Sequence, residues 1–198
     1  MAPQNPNHTN FRSRILKSNP NSYKFKQNNN LDFTEVQISN SFESLQEHLK
    51  KQLLILNLKE EAQFLVEYII DSLDENGWLT RDLFSISDDL LINLNLKFSE
   101  NEIIESLKVI QQLEPFGVGA RNLQECLIIQ LNSKEQNEIV ETSKVVLQNE
   151  YDNFSKKNFE TIVKNLEISE EELRKVYKIV EKLNPFPASN FTFLQNTA

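Results

Sequence analysis

Residues 96–116 read LKFSENEIIESLKVIQQLEPF, and residues 166–186 read LEISEEELRKVYKIVEKLNPF. The two stretches align without a gap at an offset of 70. Identities fall at Leu96/Leu166, Ser99/Ser169, Glu100/Glu170, Glu102/Glu172, Lys108/Lys178, Leu113/Leu183, Pro115/Pro185 and Phe116/Phe186. Apolar character matches at Phe98/Ile168, Ile103/Leu173, Leu107/Tyr177, Val109/Ile179 and Ile110/Val180, and upstream Ile92 pairs with Ile162. Each copy encodes a short helix, a turn, a serine-capped helix and a Leu-x-Pro-Phe exit. In each, the serine hydroxyl accepts the N–H of the third helical residue and the glutamate reaches back to the serine N–H. The expected fold is all-α, with an internal helix-turn-helix-like repeat at about 96–116 and 166–186.

Outward from the repeat, apolar residues recur at spacings of three and four, the mark of amphipathic helices. A first helix is expected at about 42–56, with Phe42, Leu45, Leu49, Gln52 and Leu53 along one stripe. A second is expected at about 59–75, ended by Asn76-Gly77, where glycine takes the left-handed conformation of a helix cap. Trp78 and Leu79 should fold back on the core. Short helices are expected at about 81–94. Asn122 and Glu125 read as the cap of a helix to about Asn132, followed by helices at about 135–152 and 153–165. Two helical subdomains result, 41–120 and 121–191, with residues 1–40 a disordered tail and 192–198 a second tail. The first tail is rich in Asn, holds Pro3, Pro6 and Pro20, and buries too little apolar surface to offset its ordering entropy.

Charge narrows the partners. The net charge is −8. Residues 1–40 hold five Lys/Arg and two Asp/Glu, so the remainder carries −11. A phosphate backbone is gripped by clustered Lys and Arg, whereas an acidic fold suits a basic protein surface. Helix-turn-helix grammar is shared with DNA readers, whose second helix presents Arg, Lys, Asn or Gln. The first copy offers Glu100, Asn101, Glu102, Glu105, Lys108, Gln111, Gln112 and Glu114, which is too acidic. The second mixes Glu170, Glu171, Glu172 and Glu181 with Arg174, Lys175, Lys178 and Lys182, and is balanced. A nucleic-acid-binding helical repeat stays as the alternative.

Chemistry of other kinds finds no residues. One cysteine, Cys126, and two distant histidines, His8 and His48, cannot build a zinc site. Cys126 lies among Leu123, Leu127 and Leu131 and reads as a small buried hydrophobe. DSLDENGWLTRD lacks the ligand spacing of a calcium loop, and no phosphate-binding loop pattern is present. Neither a catalytic set, a metal nor a cofactor is expected. No apolar run approaches the roughly 18 residues of a membrane span, and no signal peptide stands at the N-terminus. The expectation is a cytoplasmic protein that is not an enzyme.

The loop between the two helical stretches reads LEPFGVGARN over 113–122. Pro115 stiffens its approach, and Gly117 and Gly119 open backbone angles closed to other residues. Val118 and Ala120 stand beside these glycines, and Val118 could present an apolar knob. Arg121 offers a planar five-donor fork, and Asn122 can cap the following helix. Two readings stand together: a docking surface made by Pro115, Gly117, Val118, Gly119, Ala120, Arg121 and Asn122, and a tight helix-to-helix turn tied by Arg121.

The stretch LEPFGVGARNLQECLIIQL resembles the central region of the sigma-54 family, the enhancer-dependent bacterial sigma factors. That family reads D-P-P-G-V-G-A-R-D-L-x-E-C-L-x-x-Q-L here. The match falls at Pro115, Gly117, Val118, Gly119, Ala120, Arg121, Leu123, Glu125, Cys126, Leu127, Gln130 and Leu131, with Glu114, Phe116 and Asn122 departing. LQEHLKKQL is similar to the family's first core-binding helix. EYIIDSLDENGWLT is similar to its I-x-x-x-L-D-E-x-G-Y-L stretch, and LNPFPASNF to its L-N-P-K-P-G exit. The resemblance covers about 42–191. It implies a core-binding domain that docks on core RNA polymerase near the flap of the beta subunit. Residues 1–40 do not resemble the family's Gln- and Leu-rich activator-responsive segment. DNA contact is implied only if the family's C-terminal helix-turn-helix and basic box are present in the full protein. An inactive fragment lacking those regions is the further alternative.

Overall fold

In the computed structural model the described residues are 43–191, and they form nine α-helices and one short 3-10 turn with no strand among them. The expected tails at 1–40 and 192–198, and Phe42, lie outside the described residues. The helices are α1 (Leu45–Leu53), α2 (Glu60–Asp71), α3 (Leu83–Leu94), α4 (Glu100–Ile110), α5 (Leu123–Asn132), α6 (Glu138–Asn149), α7 (Tyr151–Ser155), α8 (Phe159–Leu166) and α9 (Glu170–Val180). The 3-10 turn is Pro187–Asn190.

Caps decide where most of the longer helices begin. Ser44, Ser99 and Ser169 each close a capping box with a glutamate three residues on, Glu47, Glu102 and Glu172. Asn122 and Asn137 cap α5 and α6 through their side-chain oxygens. Each such cap is worth about 1 kcal/mol, because it satisfies a backbone donor that the helix leaves open. Helix ends differ more from expectation. α2 stops at Asp71, not Glu75. The Ser72 hydroxyl donates back to the Tyr68 carbonyl at 2.9 Å. The Asp74 carboxylate accepts from the N–H groups of Asn76 and Trp78. These local bonds compete with the helical ladder. Gly77, at φ +84°, therefore sits in the turn after α2 and does not cap that helix. The helix expected at 135–152 breaks at Glu150, and that expected at 153–165 begins only at Phe159.

The buried side chains form two clusters. The first gathers Leu45, Leu49, Leu53, Leu65, Ile69, Ile70, Leu79, Ile86, Leu90, Ile103 and Ile110 with Val118 and Ala188. The second gathers Leu127, Leu131, Val140, Val146, Leu147, Ile162, Leu173, Val176, Val180 and Leu183. Ala188 follows the second cluster in sequence yet packs in the first, with its N–H donating to the Asn76 carbonyl at 3.2 Å.

The repeat is longer than its 21-residue core and changes register within itself. From Ser99/Ser169 onward the offset of 70 holds: Ile103/Leu173, Ile110/Val180 and Leu113/Leu183 are all buried. Before the turn it does not. Ile92 is 77% exposed while Ile162 is wholly buried, so the expected pair is not equivalent. The buried partner of Ile162 is Leu90, at an offset of 72. Asn95 and Glu167, at the same offset, both end their helices at φ 53°, ψ 34°. The turn runs Asn95–Phe98 in the first copy and Glu167–Ile168 in the second, two residues shorter. Further upstream α1 matches α5 and α2 matches α6 at an offset of 78. LQEHLKKQL and LQECLIIQL share six of their nine residues. The described residues are thus a four-helix unit written twice, α1–α4 and α5–α9, with α7 inserted in the second.

Candidate docking site

Three segments converge at the junction of the two units: the turn 76–79, the loop 113–122 and the exit 184–188. Each unit delivers its exit in the same way. A glutamine on its first helix turns its amide against the backbone of the residue after the buried leucine. In the first unit Gln52 Nε2 donates to the Glu114 carbonyl at 2.6 Å and the Glu114 N–H donates to Gln52 Oε1 at 2.9 Å. In the second Gln130 Nε2 donates to the Asn184 carbonyl at 2.7 Å and the Asn184 N–H donates to Gln130 Oε1 at 2.9 Å. The recurrence of LQExLxxQL, whose Gln falls at 52 and 130, was the signal for this pair in the sequence.

After Glu114 the loop turns inward. Its Glu114–Pro115 peptide is cis. The Gly119 N–H donates to the Gly77 carbonyl and the Leu79 N–H donates to the Ala120 carbonyl, both at 2.9 Å. This backbone pairing draws residues 117–120 into the interior. Gly117 and Gly119 are buried, and Val118 and Ala120 have no exposure at all. Val118 belongs to the first apolar cluster, so the expected apolar knob points into the core, where the paired backbone carries it. The glycines are required by contact as well as conformation. At φ +101° a Cβ on Gly117 would stand 2.8 Å from Cys126 Sγ. At φ +70° a Cβ on Gly119 would stand 3.1 Å from Ile110 Cγ2.

The outer part of the loop has another character. Pro115 is half-buried, and Phe116, Arg121 and Asn122 are exposed. Arg121 meets Glu125 with Nε at 3.0 Å from Oε2 and an Nη2 donor at 3.2 Å from Oε1, while its own N–H donates to Oε2 at 2.8 Å. Gln111 Nε2 donates to Glu125 Oε1 and to the Gly119 carbonyl, each at 3.1 Å. Burial pushes the Glu125 carboxyl up, but the Arg121 and Gln111 donors outweigh it and hold it below the usual carboxylate range. Arg121 thus pairs with Glu125 at the start of α5, while Gln111 makes the link from the end of α4 to the same carboxylate, and Asn122 Oδ1 accepts the Glu125 N–H at 2.9 Å as the cap of α5. Residues 117–120 thus form the interior turn, and Pro115, Phe116, Arg121 and Asn122 lie on its solvent side.

Beside this face lies apolar surface that the sequence reading did not single out. Leu54, Ile55 and Leu56, just past Gln52, are 74%, 83% and 45% exposed. The same turn continues to Leu58, on the wall of an open groove of about 470 Å³ between α2 and α4. That groove has an apolar floor including Leu65, Val66 and Val109 and a rim in which Glu61, Glu102 and Glu105 outnumber Lys59. Periodicity assigned Leu56 to the first helix. The helix ends at Leu53, which lifts the next three residues away from the core.

Cys126 is wholly buried against Gly117 and Gln130, and burial pushes its thiol pKa up. Among the described residues no group of three His, Cys, Asp or Glu side chains is placed to hold a metal ion. Asp71 pairs with Lys50 and Asp74 is spent on its turn. No helix among the described residues is long and apolar enough to cross a membrane.

The family model described as sigma-54 factor, core binding domain, matches residues 35–198. The chain belongs to the sigma-54 core-binding domain family. Its relatives include the RNA polymerase sigma-54 factor of Pseudomonas aeruginosa, 30% identical over 176 residues that cover 88% of this chain and 35% of that protein. The RNA polymerase sigma-54 factor of Bacillus subtilis is 32% identical over 178 residues, 87% of this chain and 38% of its own length. This sigma-54 core-binding chain thus spans about a third of the curated relatives it matches. The loop, the capped α5 and the paired glutamines all lie within the matched residues.

Proposed function

We propose that this chain serves as the core-binding part of a sigma-54-type transcription initiation factor and docks on bacterial core RNA polymerase. The match of residues 35–198 to a core-binding domain family is the observation that carries this reading. In it the two subdomains, 41–120 and 121–191, act as one cytoplasmic docking scaffold that performs no reaction. The beta-subunit flap region is the partner surface. Pro115, Arg121 and Asn122 make the contact together with Phe116, while Gly117, Val118, Gly119 and Ala120 hold that outer face in place from within.

The Leu54–Leu56 ridge extends this surface. Apolar residues at the centre of an interface supply most of its free energy, and charges at the rim set encounter rate and orientation. The apolar ridge, set between Lys51 and Lys59, and the groove beside it have that plan, and the glutamates of the groove rim suit a basic border on the partner. DNA recognition is no part of the proposal for these residues, since α9 and the turn after it mix Arg174, Lys175, Lys178 and Lys182 with Glu170, Glu171, Glu172 and Glu181.

The test is co-elution of the full chain with purified core polymerase on a sizing column. A shared peak is expected, and Ile55→Asp should weaken it by about tenfold or more while helical content stays the same. Elution of the unaltered chain as free protein in the presence of polymerase would overturn the proposal.

A further inference from the structure

Helix α3 carries a second apolar face, opposite in charge setting to the Leu54–Leu56 ridge. Phe84, Leu91 and Ile92 are 70%, 45% and 77% exposed. Helical spacing places Phe84, Asp88, Leu91 and Ile92 on one stripe. The opposite face of the helix, Leu83, Ile86 and Leu90, fills the first core cluster. The helix has no basic residue. Asp82 and Asp88 make no ion pair among the described residues, and Asp89 is neutralised by Arg81. The face is therefore apolar and acidic. The Leu54–Leu56 ridge, in contrast, lies between Lys51 and Lys59.

One segment of this chain has the complementary chemistry. Residues 11–17 read FRSRILK: Phe11, Ile15 and Leu16 interleaved with Arg12, Arg14 and Lys17 and free of acidic residues. It is the densest basic and apolar run of the first 40 residues, which hold only Asp32 and Glu35 as acids. The chain between Lys17 and Glu43 can span at most about 90 Å when extended, enough to reach any face of a domain of this size.

We propose that residues 11–17 dock on the exposed face of α3 in the same molecule. Phe11, Ile15 and Leu16 lie against Phe84, Leu91 and Ile92, and Arg12, Arg14 and Lys17 meet Asp82 and Asp88. The contact is intramolecular and works by tethering: an effective concentration in the millimolar range half-fills a contact whose own affinity is only about 1 mM. It covers an apolar face that would otherwise stand open to self-association. The contact does not depend on the polymerase reading and can be tested in its absence.

A nitroxide on Ser18→Cys of the full chain tests it, since Cys126 is wholly buried and escapes labelling. The methyl signals of Leu91 and Ile92 should fall about twofold or more at half occupancy, and those of Leu54 and Ile55 should fall less. Arg12→Glu, Arg14→Glu and Lys17→Glu together should restore the α3 signals, with circular dichroism unchanged. Four outcomes would overturn the inference. The α3 methyls could be unaffected. The loss could be equal at Leu54 and Ile55. It could survive charge reversal. It could also persist when nitroxide and isotope sit on separate molecules, which would make a second copy the occupant.

Discussion

The side-chain amide of Gln130 satisfies both backbone groups of Asn184, 54 positions away, and fixes where the second unit's last helix leaves the core. Gln52 does the same for Glu114 in the first unit. The two pairs differ in exposure. Gln130 is 8% exposed, whereas the Gln52 bonds stand nearer solvent. Water can replace a lost partner at an exposed site and cannot at a buried one. Gln130→Ala should therefore cost about 1–3 kcal/mol and Gln52→Ala clearly less. Urea denaturation of both variants checks the order, and equal costs would count against the difference in burial.

The turn residues 117 and 119 should resist even a methyl group. Gly117→Ala adds a Cβ 2.8 Å from Cys126 Sγ and 3.3 Å from the Cys126 carbonyl, at a φ of +101°. Gly119→Ala meets side-chain carbons at 3.1 and 3.2 Å, which can shift. Strain of this backbone type costs about 1–3 kcal/mol. Both variants should melt lower than the parent, and Gly117→Ala should fall further. A neutral Gly117→Ala would mean that the loop is not seated on α5 as described.

Arg121→Ala should show a pH-dependent cost. Glu125 has its folded pKa held below the unfolded value by Arg121 and Gln111 against the opposing effect of burial. A depressed carboxyl contributes stability that is present above the unfolded pKa and lost as pH falls through the folded one. With Arg121 58% exposed on its side chain, the pair is worth at most about 1 kcal/mol at neutral pH. The parent and the variant should differ near pH 7 and converge in acid. Denaturant midpoints measured across that range check the sign. A gap that widens in acid would reject the assignment.

Leu113→Ala and Leu183→Ala probe the equivalence of the two units. Both leucines close their unit at 5% and 8% exposure. Each truncation should cost about 2–5 kcal/mol. A small loss at either one would show that its exit is not part of the core.

Much of the secondary structure was legible in the residues because its causes are local. Ser99 with Glu102 and Ser169 with Glu172 announce helix starts that need nothing from elsewhere in the chain. Periodic Ile103, Leu107 and Ile110 mark an inner face in the same way, and all three are buried. The longer repeat was also present, in LQEHLKKQL and LQECLIIQL, but an ungapped comparison hid it. The offset runs from 78 to 72 to 70 as connections change length between the units. The Ile92/Ile162 pairing failed for that reason alone.

By itself, then, the sequence determined the all-helical fold and the position of most helix starts, since spacing and caps act over one or two turns. Tertiary structure alone decided that Val118 faces inward, that Leu54–Leu56 and Phe84, Leu91 and Ile92 face outward, and that Gln52 and Gln130 hold the exits. Those outcomes rest on backbone hydrogen bonds and burial between residues far apart in the chain, such as Gly77 with Gly119 and Gln130 with Asn184. A local pattern of apolar residues shows which side chains avoid water and not which partner covers them.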